Sequence, residues 1–158
     1  MSPLLKKLNY KFHPQILVLN APDSFAAELT AMQSEAELLT NFPDDGEVPF
    51  ALAFTTTPEE TEELADALLP RLAEDAVCWF AYPKKSSKNY QSDITRDTGW
   101  QVLGDAGKEP VRQVAIDADW SALRFRSVRH ISALTRRREM ALSKEGRMRT
   151  KNNRTEEG

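Results

Sequence analysis

Short apolar runs, each closed by a turn or capping signal, recur along the first 130 positions of this chain, and their order predicts its architecture. Residues 15–20 form a leucine and β-branched run that reads as a first strand, ended by Ala21-Pro22-Asp23-Ser24. Asp23 or Ser24 is placed to cap the helix that follows through Phe25, Ala26, Leu29 and Met32. Residues 37–40 read as a weaker second strand, with a turn signal at Pro43-Asp44-Asp45-Gly46, and residues 50–55 as a third. Thr57-Pro58-Glu59-Glu60 then supplies a capping hydroxyl, a proline at the first helical position and a glutamate at the reciprocal capping position. Leu64, Leu68 and Leu72, with Ala65 and Leu69 beside them, give that helix one apolar stripe up to Arg71.

Residues 77–82 are apolar on both faces and read as a core strand. Pro83 stops it, and Lys84, Lys85, Ser86, Ser87 and Lys88 follow at once. Thr98-Gly99-Trp100-Gln101 repeats the capping-box spacing and predicts a short helix through Val102, Leu103 and Ala106, closed by Gly107. Residues 110–116 and 120–128 read as an antiparallel hairpin joined by Asp117-Ala118-Asp119. Alternation puts Leu123 and Phe125 on one face of its second strand, and Trp120, Ala122, Arg124 and Arg126 on the other. Beyond His130, a helix marked by Ile131, Leu134 and Met140 leads into a polar tail.

This order predicts an α/β fold: a Rossmann-like, mainly parallel sheet with helices on both faces and a C-terminal antiparallel hairpin. A ferredoxin-like α+β sheet built from the first four strands is the alternative, but it leaves the hairpin as an appendage. The chain divides into a single α/β domain over residues 1–130 and a basic C-terminal helix and tail over residues 131–158.

Charge sharpens that division. From Asp23 to Asp75 there are fourteen acidic residues and one base, Arg71. From Arg124 to the end there are eleven Lys or Arg against four Glu, a balance of +7, while everything before Arg124 carries −10. The tail arginines Arg136, Arg137, Arg138, Arg147 and Arg149 suit neutralisation of phosphates, so nucleic acid is a candidate partner there. No aromatic interleaves them, so base stacking is not indicated. The single cysteine, Cys78, excludes an internal disulfide and fits the reducing cytoplasm, the expected location, as a buried inert thiol. No apolar run approaches the roughly 18 residues of a membrane span, so no membrane partner is expected.

Ligands of open α/β sheets settle beyond the carboxyl ends of the strands. Lys84, Lys85 and Lys88 with Ser86 and Ser87 therefore form the leading candidate site, for an anionic small molecule or protein. Arg96 in the next loop, and Asn20, Asp23 and Ser24 after the first strand, are expected to converge on it. Asp93 and Asp97 are expected to pair with Arg96 and cap turns. His13, His130 and Cys78 do not assemble a usual zinc ligand set, and no metal is expected. A phosphate-binding glycine loop and a nucleophile elbow are both missing. Trp79, Trp100 and Trp120 read as core anchors, Trp120 also as a possible pocket wall. Arg124 and Arg126 either line a groove or meet the acidic helix face at residues 59–66.

With these elements placed, the chain resembles a trimmed class I methyltransferase. Residues 50–55, 58–71 and 77–82 resemble that family's fourth strand, following helix and fifth strand, and the closing hairpin its last two strands. More specifically, Leu17-Val18-Leu19-Asn20-Ala21-Pro22, Trp79-Phe80-Ala81-Tyr82-Pro83-Lys84-Lys85-Ser86-Ser87 and Asp119-Trp120-Ser121-Ala122-Leu123-Arg124-Phe125 resemble a bacterial family of domains of unknown function, over residues 8–130. The methyltransferase resemblance implies a site for S-adenosylmethionine, built on a glycine-rich first turn. Here that turn is Asn20-Ala21-Pro22-Asp23-Ser24, and no glycine precedes Gly46. An acidic residue for the ribose after the second strand is not evident either. The expectation is a domain without catalysis and without a cofactor; a nucleic-acid accessory role through the tail and a divergent methyltransferase are the alternatives.

Overall fold

A computed structural model of the protein describes residues 1–131. Its six strands form one sheet in the order β2-β1-β3-β4-β6-β5. These are β1 (Gln15–Leu19), β2 (Glu37–Leu39), β3 (Val48–Phe54), β4 (Leu72–Pro83), β5 (Lys108–Ala115) and β6 (Trp120–Ser127). The first four pair in parallel, which excludes the ferredoxin-like alternative, whose neighbours run antiparallel. β6 is antiparallel to both β4 and β5 and lies between them. The hairpin thus becomes the sheet's edge, as the Rossmann-like reading requires.

Two cores sandwich the sheet. One holds Ile16, Val18, Phe50, Leu52, Phe54 and Trp79 under α1 (Pro3–Lys7) and α2 (Ala26–Gln33). The other holds Leu17, Ala51, Phe80, Leu123 and Phe125 under α3 (Pro58–Leu68) and α4 (Gln101–Asp105). β3 and β4 feed side chains into both, which is why they read as unbroken apolar runs. The capping signal of α3 is realised. The Thr57 hydroxyl accepts from Glu60 N–H at 3.0 Å, and the Glu60 carboxylate accepts from Thr56 N–H at 2.8 Å. A cap of this kind stabilises a helix by about 1 kcal/mol.

Several local expectations fail for identifiable reasons. Neither Asp23 nor Ser24 caps α2 through its side chain; they begin a 3₁₀ turn, Asp23–Phe25, that runs into the helix. Thr98 does not cap α4, because its hydroxyl bonds Thr95 Oγ1 at 2.8 Å and the helix starts at Gln101. β4 begins five residues before residue 77, with Asp75 at φ +50 where the register with β3 shifts. α1 was not expected, although Ser2-Pro3 is a start signal like Thr57-Pro58 and the Ser2 hydroxyl accepts from Leu5 N–H at 3.1 Å. Leu4, Leu5 and Leu8 are buried, and the Leu8 carbonyl accepts from Trp79 Nε1 at 2.8 Å. Among the described residues no helix is long and apolar enough to cross a membrane. Leu134 and Met140, and with them the helix expected after His130, lie outside the described residues; Val128–His130 is a 3₁₀ turn.

Candidate functional site

β1 and β3 lie side by side, but the chain leaves them in opposite directions: β1 leads to α2 on one face and β3 to α3 on the other. Diverging connections open a crevice at the carboxyl ends of such strands. A cleft of about 390 Å³ lies there. Residues 20–24 after β1 form one side, and Phe54, Thr56 and Glu60 form the floor and the side toward α3. Tyr90, from the loop after β4, and Trp120, from the start of β6, close it.

The turn after β1 holds its shape without glycine. Asn20 takes φ +58, the left-handed conformation that Asn tolerates better than most L residues. Positive φ is therefore present in this turn although glycine is not, and it carries a side chain. Pro22 supplies no N–H to the cleft. On the other side, Thr55 and Thr61 bury a hydroxyl pair 2.8 Å apart, and Thr61 also donates to the Thr57 carbonyl at 3.0 Å. That buried knot fixes the first turn of α3 and so the position of Glu60.

Two carboxylates, Asp23 and Glu60, line the cleft, and among the described residues no Lys or Arg does. Both stand at helical starts, where exposed backbone N–H groups would otherwise favour an anion. The walls are aromatic: Trp120 packs against Phe54 with ring centres 5.1 Å apart and against Tyr90 at 4.9 Å. The other two tryptophans have their indole N–H satisfied, Trp79 by the Leu8 carbonyl and Trp100 by the Thr95 carbonyl, each at 2.8 Å. Trp120 Nε1 is buried with no hydrogen-bond partner. An unpaired buried donor costs about 1–3 kcal/mol, which sets Trp120 apart from the other two tryptophans.

The residues singled out from the sequence separate into two groups. Asn20, Asp23 and Ser24 are exposed at the cleft. Lys84, Lys85, Ser86, Ser87, Lys88 and Arg96 are not among its lining residues. Ser87 instead donates to Asp119 Oδ1 at 2.8 Å, and Lys85, Ser86 and Lys88 are exposed. Arg96 lies near Tyr82, on the opposite face of the sheet from α1. The turns around Arg96 are capped by the hydroxyls of Ser92 and Thr95, not by Asp93 or Asp97, and among the described residues no ion pair joins Arg96 to either. Phe54, Thr56, Glu60 and Tyr90 were not singled out as ligand residues. For three of them the signal was available: Phe54 and Thr56 end a strand, and a capping Glu60 necessarily stands where that strand's connection enters a helix.

Elsewhere the structure narrows the chemistry. Arg126 does not meet the acidic face of α3, which packs on the other side of the sheet. Its Nε and Nη2 donate to the two oxygens of Asp75 at 2.8 and 2.6 Å, and that guanidinium holds the Asp75 carboxyl below its ordinary range. Burial pushes the Cys78 thiol up to about 12, which makes it inert. His130 Nε2 sits 2.8 Å from Glu74, and His13 packs its ring on Phe50 at 5.4 Å. No group of three or more metal-ligating side chains occurs among the described residues. Arg136, Arg137, Arg138, Arg147 and Arg149 lie outside the described residues.

The sheet order and the inserted antiparallel strand define a Rossmann-like fold of the methyltransferase kind. The chain is similar to a SAM dependent methyltransferase from Aquifex aeolicus, with 13% identity over 79% of this chain and 88% of that one, at a TM-score of 0.51. It is also similar to a protein in the NADB-Rossmann superfamily from Streptococcus agalactiae, with 9% identity over 89% and 73% of the two chains, at a TM-score of 0.50. At these identities the likeness is one of fold. No family model matches the chain, and no curated protein matches it.

S-adenosylmethionine does not fit the residues present in the way the fold's enzymes hold it. Pro22 removes a backbone donor from the first turn, and Asn20 puts a side chain where close backbone approach is needed. β2 ends at Leu39, followed by Thr40 and Asn41, with no carboxylate to take ribose hydroxyls.

Proposed function

We propose that this protein is a ligand-binding domain of methyltransferase-like architecture that performs no methyl transfer, and that its ligand occupies the carboxyl-edge cleft. The observation that carries this reading is the lining itself: two carboxylates, three aromatic rings and, among the described residues, no cationic side chain. Asp23 and Glu60 favour a positive or donor-rich group. Tyr90, half-buried, offers ring surface to the same group, with the buried Trp120 ring packed behind it, an arrangement suited to an alkylammonium. An anion would meet repulsion from both carboxylates, so Lys84, Lys85 and Lys88 in the loop after β4 act on solubility or on a partner outside the cleft.

The reading is tested by calorimetric titration of the full chain with choline and, separately, with S-adenosylmethionine. Choline binds, and Glu60→Gln, which keeps the oxygen that accepts from Thr56, weakens it about tenfold by removing the charge. Binding of S-adenosylmethionine in preference to choline, or choline binding indifferent to both Glu60→Gln and Asp23→Asn, would overturn it.

A further inference from the structure

The second feature lies on the α1 face toward the opposite end of the sheet, where two rungs of the β5–β6 ladder, separated by the Pro110–Phe125 rung and a register shift, differ in charge. On the outer rung Arg126 stands opposite Glu109 and is also clasped by Asp75, so its guanidinium has carboxylates around it. Two residues back along β6, Arg124 stands opposite Arg112. Residues directly opposite in an antiparallel pair project from the same face, and like charges there destabilise the pair. Among the described residues neither Arg112 nor Arg124 forms an ion pair with a carboxylate.

Arg124 is half-buried, and its Nε is fully covered without a hydrogen-bond partner. Burial first, then the charge of Arg126, push against its protonated form; the Asp75 carboxylate acts the other way, and Arg112 adds a smaller push against that form. Its charge also reaches the His13 ring, which holds a lowered pKa from burial, from Arg124 and from Lys11. On the β4 side its rung neighbour is Trp79, whose one donor is already committed to Leu8. Two guanidinium groups side by side suit an oxyanion, and a phosphate, with three terminal oxygens to a carboxylate's two, can accept from both at once.

We propose that Arg124 and Arg112 form an oxyanion site for a small phosphate-bearing molecule, separate from the carboxyl-edge cleft. The anion bridges the terminal nitrogens of the two guanidinium groups and offsets the charge that bears on His13. A small ligand is favoured over a polyanion because the chain before Arg124 carries a net charge of −10, which repels an extended phosphate backbone.

The test is a titration of the full chain, followed by NMR, with inorganic phosphate and with glycerol phosphate, against sodium chloride at matched ionic strength. The His13 ring and the Arg124 side-chain NεH resonances shift saturably with either phosphate and not with chloride, and the pKa of His13 rises on saturation. Arg112→Ala, at an exposed position that leaves the core intact, weakens binding about tenfold, one charge-assisted contact. Arg124→Gln abolishes it. No saturable shift with either probe, or a shift that Arg112→Ala leaves unchanged, overturns the proposal.

Discussion

Ser87 Oγ lies 2.8 Å from Asp119 Oδ1 and donates to it, tying the loop after β4 to the hairpin that precedes β6. The other oxygen of the same carboxylate accepts from Asn89 Nδ2 at 3.1 Å, and the Asp119 carbonyl accepts from Lys84 N–H at 2.7 Å. Ser87 Oγ in turn accepts from the N–H of Asn89 and of Tyr90. The serine–aspartate tie thus sets Tyr90 against Trp120 at the cleft while Lys85 and Lys88 face solvent. What reads in sequence as a cationic binding loop is, in its serine, a strut that positions an aromatic wall.

Asp119→Ala removes both side-chain bonds of that strut. It is expected to destabilise the fold by about 1–2 kcal/mol, since the partners are partly solvated. The Tyr90 amide is expected to exchange its proton faster. Urea unfolding and hydrogen exchange check this, and an unchanged Tyr90 amide contradicts it.

Asp75 and Arg126 predict a pH effect with a definite sign. The folded-state carboxyl lies below its unfolded value, because the Arg126 hydrogen bonds favour the charged form. Its stabilisation is therefore complete above the unfolded value of about 3.9 and is lost as pH falls through the lower folded value. Both side chains are about one-third exposed, so the effect is small. Asp75→Asn tolerates the positive φ at this position, and it flattens the acid limb of a stability-versus-pH curve while leaving the limb above neutrality unchanged.

The N-terminal helix carries weight beyond its five residues. Leu5 has no exposed surface and packs into the core around Trp79. Leu5→Ala is expected to cost about 2–5 kcal/mol, read by urea unfolding. A loss under about 1 kcal/mol means that α1 is an ornament on the sheet rather than part of its core.

How much of this was legible in the sequence depended on whether local signal and tertiary context agreed. β3, β4 and α3 were readable because burial on both faces gives unbroken apolar runs, and because Thr57, Pro58 and Glu60 act within one turn. α1 was not, since Leu4, Leu5 and Leu8 span too few residues to show a period beside Lys6 and Lys7. The Thr98 spacing misled because a hydroxyl three residues away, on Thr95, claimed the capping oxygen. In the site, Asn20, Asp23 and Ser24 were found by their place after a core strand. Tyr90 was not, because its position depends on Ser87 and Asp119, thirty-two residues apart.

Phe12 is 83% exposed and sits at φ +58, strained for a bulky side chain. Its neighbours hold it there: the Tyr10 hydroxyl is 3.1 Å from the carbonyls of His13 and Glu35, and Lys11 N–H donates to His13 Nδ1 at 3.2 Å. Phe12→Asn is expected to raise stability by about 0.5–1 kcal/mol by relieving that strain. A thermal melt checks the sign, and a lower midpoint contradicts the account of the loop.

The three indole N–H groups offer the most direct test of the carboxyl-edge cleft, because Trp79 and Trp100 are internally bonded and Trp120 is not. Choline titrated into isotopically labelled protein should shift the Trp120 indole resonance saturably while those of Trp79 and Trp100 stay in place. Glu60→Gln should weaken that shift. A Trp120 resonance that ignores choline but follows phosphate would contradict the account.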